Sequence, residues 1–152
     1  MEETPPPQLT FYSTAPRPLD IAWCQWPLTE GGFKSRPVLI NQVLEDDGRF
    51  AVEVCYGTSA VDRSVPGVGS FRIVQYEQLQ AIGLYKATRF ELLTRQLLPW
   101  AQEVFPRAPG RSGPIVGRMT QLQILRLQEW SRQTKHIIEA LLAGEDGNGQ
   151  RR

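Results

Sequence analysis

Histidine occurs once in these 152 residues and cysteine twice, and each scarcity removes a class of chemistry. His136, between Lys135 and Ile137, has no partners at the spacing of a zinc site or a nucleophile–base–acid triad, and reads as structural or solvent-facing. Cys24 and Cys55 stand singly in apolar, strand-like runs without a CxxC pair, which points to reduced, packed thiols in a cytosolic protein. No apolar run approaches the roughly 18 residues of a membrane span, and no apolar leader with a cleavage site is visible. No Gly-rich phosphate loop opens a helix, so nucleoside-triphosphate chemistry has no support. Neither sign of charge dominates: Lys plus Arg total 17 against 16 for Asp plus Glu. A nucleic-acid partner would therefore have to be held by a local cluster. The one acidic run, Glu45-Asp46-Asp47 before Gly48, reads as a solvated hairpin tip, so neither a metal nor a cofactor is expected.

What is present suits one domain of ordinary size, with a core that needs no disulfide or metal. Residues 1–17 carry Pro5, Pro6, Pro7 and Pro16 and read as an extended strap or disordered tail. Residues 144–152 (GEDGNGQRR) lack apolar side chains and read as a disordered tail. Between them, residues 18–143 form the domain. Strands are expected at 20–26, at 36–44, and at 49–57, where Phe50, Val52, Val54 and Tyr56 alternate onto one face. A polar loop at 58–69, a strand at 70–74, a short helix at 76–82 closed by Gly83 and a fifth strand at 87–93 follow. Residues 97–117 hold four prolines and read as a long loop with at most one helical turn. The last element is a helix with Thr120 as N-cap and an apolar stripe of Ile124, Leu127, Trp130, Ile137, Ile138 and Leu141. Its expected length is about six turns, on the order of 35 Å, and its stripe is expected to pack on the sheet or, at an end that overhangs the domain, to meet a second chain.

The segment DIAWCQWPLTEGGFKSRPVLI, residues 20–40, joins two strand-like runs through a long Gly-containing connection that carries Thr29, Glu30, Lys34, Ser35 and Arg36. Such a connection suits a ligand better than it suits holding two strands together. Arg36 offers a planar fork of donors that matches phosphate oxygens and stays charged at any accessible pH. Thr58 and Ser59 follow Gly57 at a strand end, where hydroxyls and backbone N–H groups could converge on the same anion, with Asp62 and Arg63 nearby. Arg107, Arg111 and Arg118 lie among Gly and Pro, a pattern equally able to track a nucleic-acid backbone or to decorate a solvated loop. The residues alone favour phosphodiester binding.

The pieces DIAWCQWP, TEGGFKSRPVLI, AVEVCYGTS and GLYKATRFEL, in that order over about residues 18–130, resemble the MazF/PemK family of toxin endoribonucleases, and most closely its PemK-like branch. The resemblance implies an SH3-like small barrel of bent antiparallel strands with a C-terminal helix. It also implies metal-independent cleavage of single-stranded RNA, in which a 2′-hydroxyl attacks the adjacent phosphate and leaves a cyclic phosphate and a free 5′-hydroxyl. On that likeness Arg36 is the catalytic arginine, stabilising charge on the phosphorane and protonating the leaving oxygen, and Thr58 orients a phosphate oxygen. Ser59 lies beside it, and Glu30 corresponds to a glutamate of the preceding loop. Lys34, Ser35, Ser59, Thr88, Arg89, Arg107 and Arg111 would line the RNA path. A two-fold homodimer, mRNA as substrate and a cognate antitoxin as inhibitor complete the expectation. Two alternatives stand beside it: a non-catalytic binding or regulatory protein of the same fold, and a gyrase poison, whose characteristic terminal tryptophan has no counterpart in GNGQRR.

Overall fold

The computed structural model describes residues 8–59 and 70–150, with the side chains of Ile137, Ile138, Leu141 and residues 144–150 outside the description. Six strands, β1 (Asp20–Pro27), β2 (Phe33–Asp46), β3 (Arg49–Thr58), β4 (Ser70–Ile73), β5 (Thr88–Pro99) and β6 (Ile115–Arg118), form one antiparallel sheet in the order β4-β5-β3-β2-β1-β6. Two helices, α1 (Tyr76–Ala81) and α2 (Gln121–Gln150), complete it. The protein is thus mainly β with a C-terminal helix. No helix among the described residues is long and apolar enough to cross a membrane.

The Asp-Gly signal makes the β2–β3 hairpin: Asp47 (φ 55°) and Gly48 (φ 75°) both take left-handed backbone between the paired Asp46 and Arg49, as a two-residue turn of matching twist requires. The alternation expected in β3 holds. Val52 and Val54 are fully buried on one face with Phe50 and Tyr56 packed beside them, and Cys55 is buried on the other. Both faces of the sheet are therefore covered. One carries Leu39, Cys55, Phe90 and Ile73 beneath α1 and the start of α2. The other carries Val38, Ile40, Val54 and Trp26 beneath Trp100, Phe105 and Tyr12. Ahead of β1, within residues 8–19, Phe11 bridges Ala101, and Tyr12 N–H donates to the Trp100 carbonyl at 3.1 Å.

Three expectations need correction. The stretch 97–117 is not one loop, since β5 runs on to Pro99 and residues 115–118 form β6, the edge partner of β1. The exposed polar run Thr94-Arg95-Gln96 hid the continuation of β5, and four residues after Pro114 are too few to show a period. The β1–β2 connection is only residues 28–32, tied by Leu28 N–H to the Gly32 carbonyl at 3.0 Å, with Gly31 and Gly32 in left-handed backbone. Lys34, Ser35 and Arg36 consequently stand on β2, paired with Trp26, Gln25 and Cys24 of β1. At the far end, α2 reaches Gln150, into the stretch expected to be mobile.

α2 begins as the sequence suggests. Gln123 N–H donates to Thr120 Oγ1 (3.3 Å) and Thr120 N–H to Gln123 Oε1 (2.8 Å), a reciprocal cap. Gln123 Nε2 also donates to the Gln78 carbonyl, which ties α2 to α1. Ile124, Leu127 and Trp130 pack on the sheet, whereas Leu122 and Leu125 are exposed.

The sheet is not closed by strand pairing: β4 and β6 are its edges. They are nevertheless brought together through α1, whose following residues Ile82 and Gly83 lie directly on Val116 and Gly117 of β6. A Cβ at Gly83 would meet the Val116 carbonyl oxygen at 2.0 Å, and one at Gly117 the Ile82 carbonyl oxygen at 2.0 Å. Only glycine permits that approach. Gly117→Ala should lower stability by about 3 kcal/mol, because backbone rather than a flexible side chain must yield, while Gly113→Ala, which meets open space at an ordinary φ, should change it by less than about 0.5 kcal/mol. Urea denaturation of both variants checks this; equal midpoints would contradict the contact.

Candidate functional site

Trp23 donates its N–H outward, to the Pro114 carbonyl at 2.8 Å. Its partner on β2 is Pro37, whose backbone therefore turns toward β3, where a proline has no N–H to give. The β2–β3 ladder accordingly ends at Val38↔Tyr56. Beyond it the strands part. β2 stays with β1 as far as Phe33↔Pro27, while β3 passes to β5 through Gly57↔Phe90 and Thr58↔Arg89.

A cleft of about 180 Å³ occupies the gap. Residues 34–37 of β2 form one wall, residues 57–59 the other, and Trp23 with Leu84, Tyr85, Lys86 and Thr88 close the back. Gly57 makes the fit possible, since a Cβ there would meet Thr88 Cγ2 at 2.8 Å, Phe90 Cε1 at 3.0 Å and Pro37 Cγ at 3.2 Å. Strand alternation puts Arg36 and Thr58 on one face with Tyr56, and Pro37 and Gly57 on the other with Trp23. The cleft thus separates an arginine and a hydroxyl that face each other across diverging strands.

The Arg36 guanidinium lies over the Tyr56 ring, 4.8 Å from its centroid, and Tyr56 in turn packs against Trp26 at 5.1 Å. A cation held on an aromatic face keeps its donors for other acceptors. Arg36 Nε is buried and has no hydrogen-bond partner among the described residues. Three cations, Lys34, Arg36 and Lys86, and four aliphatic hydroxyls, Ser35, Thr58, Ser59 and Thr88, border the cleft with the phenol of Tyr85, and no carboxylate, imidazole or thiol is among its described lining residues. Such a wall attracts an anion and can satisfy it with hydrogen bonds.

Of the residues singled out in the sequence, Lys34, Ser35, Arg36, Thr58, Ser59 and Thr88 come together here. Thr88 does so mainly as structure: it is buried, and its Oγ1 donates to the Lys86 carbonyl at 2.8 Å. Glu30 does not reach the cleft; the two glycines after it fold the short turn back on itself, leaving Glu30 exposed. Arg89 is engaged by Glu91, Nε to Oε1 2.6 Å, an ion pair off the N–H axis rather than a linear hydrogen bond. Arg107 is exposed outside the lining, and Arg111 rests a guanidinium nitrogen against Gly83, beside the back wall. Arg118 is a structural partner of the buried Asp20, at 3.2 Å. Asp62 and Arg63 lie outside the described residues. Trp23, Tyr56, Leu84, Tyr85 and Lys86 were not anticipated, since nothing local in the sequence marks them as neighbours of Arg36.

The cysteines take no part. Both are fully buried, on opposite faces, and burial pushes the Cys24 thiol up to about 12 and the Cys55 thiol up to about 11. No protein-family model matches the chain, and no curated protein matches it either.

Two predictions follow from this geometry. Pro37→Ala supplies the missing donor, so its new amide should bond toward Gly57, exchange with solvent slowly and narrow the cleft; a fast-exchanging amide would refute the reason given for the split. The thiols predict a pH effect. Below about pH 9, the ordinary value for these groups, they are protonated folded or unfolded. Above it the unfolded chain releases protons the folded chain keeps, so stability falls by up to about 1.4 kcal/mol per pH unit per thiol until the folded values are reached. Denaturation of the wild type and of the Cys24→Ala/Cys55→Ala variant between pH 8 and about 11 should give a shallower decline for the variant; parallel declines would contradict the burial.

Proposed function

We propose that the protein is a metal-independent endoribonuclease of the MazF/PemK kind, cutting single-stranded RNA at the cleft between β2 and β3. One observation carries the proposal. Arg36, immediately before the proline that ends the ladder, stands across the gap from Thr58, with its Nε buried and without a hydrogen-bond partner among the described residues. In the reaction the 2′-oxygen bonds to phosphorus and the bond to the 5′-oxygen breaks. The hydroxyl proton is lost, and the departing oxygen gains one, so no co-reactant is consumed. Charge builds on the non-bridging oxygens of the phosphorane, where a fixed guanidinium lowers the barrier most. Arg36 supplies that charge and Thr58 orients a phosphate oxygen; Lys34 and Lys86 hold neighbouring phosphates.

The reading extends to architecture and partners. A small, bent SH3-like barrel is supported by the end of α1, which follows edge strand β4 and lies backbone on backbone against edge strand β6 at Gly83 and Gly117, and by irregular register at Ile40/Gln42 and Cys55/Gly57. A cytoplasmic toxin acting on mRNA as a two-fold homodimer, restrained by a cognate antitoxin, is the corresponding biology. The absence of a carboxylate or imidazole among the described lining residues favours a second reading, a non-catalytic nucleic-acid-binding protein, because no described group is an evident base for the 2′-hydroxyl.

Cleavage of a mixed single-stranded RNA decides between them. Wild type should cut it in the presence of EDTA. Arg36→Ala should lose at least about a hundred-fold in rate, on the scale of removing one transition-state donor, with its fold retained by circular dichroism. Arg36→Lys should also be poor, because an ammonium lacks the two-pronged contact. RNA affinity should weaken with salt, each phosphate contact adding about 0.7 to the log–log slope. Activity abolished by EDTA and restored by magnesium, or an Arg36→Ala enzyme that cuts normally, would overturn the assignment.

A further inference from the structure

Tyr85 is 77% exposed, the most exposed of the large apolar side chains described, yet the backbone around it is fixed on both sides. Before it, α1 ends in a tight cap: Gly83 (φ 83°) donates its N–H to the Gln80 carbonyl at 3.1 Å and Leu84 to the Leu79 carbonyl at 2.9 Å. Leu84 packs into the core, and Gly83 is seated on Val116. After it, the Lys86 carbonyl is held by Thr88 Oγ1. The chain thus holds an aromatic ring out at the cleft's back wall between two anchored neighbours, with Lys86 next to it and Lys34 and Arg36 on the wall from β2.

Core packing does not explain an aromatic in that position, because the ring stays in water. A ligand with a flat apolar face and an adjacent negative charge does explain it. An unpaired nucleotide has both, and base–aromatic stacking beside a cationic backbone track is the general means by which proteins hold single strands. The pre-set backbone reduces the ordering cost of binding.

We infer that Tyr85 is the platform on which one unpaired base stacks while the adjoining phosphate sits in the cleft against Lys86 and Arg36. The inference rests on the nucleic-acid part of the proposed function and is independent of whether the bond is cut. It assigns the α1–β5 connection, rather than the strands alone, to substrate positioning, and makes Tyr85 a determinant of strand state: a base paired in a duplex cannot stack on it.

The test uses the full-length protein and two probes that lack a 2′-hydroxyl and so cannot be cleaved: a mixed-sequence single-stranded oligodeoxynucleotide, and an abasic deoxyribose-phosphate oligomer of equal length. Wild type should bind the base-containing probe roughly ten-fold more tightly, the scale of one stacked base. Tyr85→Ala should bind both alike, Tyr85→Phe should restore the preference, and Lys86→Ala should weaken both equally and lower the salt slope. A wild type without the preference, or a Tyr85→Ala variant that keeps it, overturns the platform. Failure of the cleavage reading looks different: wild type leaves RNA intact while the Tyr85-dependent preference persists.

Discussion

A single missing hydrogen-bond donor organises this molecule. Pro37 stands where β2 would next donate to β3, and because it cannot, the two strands follow their other neighbours and a cleft opens between them. The residue before the proline is Arg36 and the residue after the facing glycine is Thr58. A cation and a hydroxyl are therefore brought to opposite banks by the backbone feature that makes the gap. Gly57 lets Pro37, Thr88 and Phe90 close around the end of β3 without a side chain in the way. The gap is bounded rather than frayed.

A split in a sheet is useful only if its surroundings are stiff. The stiffness comes from the far side, where Ile82-Gly83 and Val116-Gly117 touch backbone to backbone and link the two edges of the sheet. That contact fixes the end of α1, the end of α1 fixes residues 84–88, and these residues form the back of the cleft. Gln123 adds a second tie, capping α2 and bonding to α1 with the same amide group. Tyr56, wedged between Arg36 and Trp26, supports the guanidinium from below without consuming its donors. Glycines, one proline and stacked rings position the cleft; the Arg95–Glu53 and Arg132–Glu129 pairs lie on open surface, where such contacts contribute little, while Arg118 holds the buried Asp20 at the edge of the sheet.

Much of this was legible in the chain. The Asp47-Gly48 turn, the alternation of Phe50, Val52, Val54 and Tyr56, and the Thr120 cap each depend on local rules that neighbouring residues do not override. The pairing of Arg36 with Thr58 could be anticipated from their places beside Pro37 and Gly57. β6 could not, because a four-residue edge strand carries too little pattern and is defined by its partner β1. Glu30 stands outside the cleft lining for a related reason: two left-handed glycines shorten the turn, and moving the strand boundary shifts which residues face the cleft. The back wall escaped notice because Tyr85 and Lys86 reach the cleft through the Gly83–Gly117 contact, which joins residues far apart in sequence and has no local signature.

The proposed reaction turns a phosphodiester against its own 2′-hydroxyl, and the chemistry of the severed ends distinguishes it from every metal-assisted hydrolysis. Single-stranded RNA incubated with the purified protein in EDTA should yield 5′ fragments ending in a 2′,3′-cyclic phosphate and 3′ fragments beginning with a free 5′-hydroxyl, with neither formed by Arg36→Ala. Fragments carrying 3′-hydroxyl and 5′-phosphate ends, or RNA left intact by the wild type, would contradict the account.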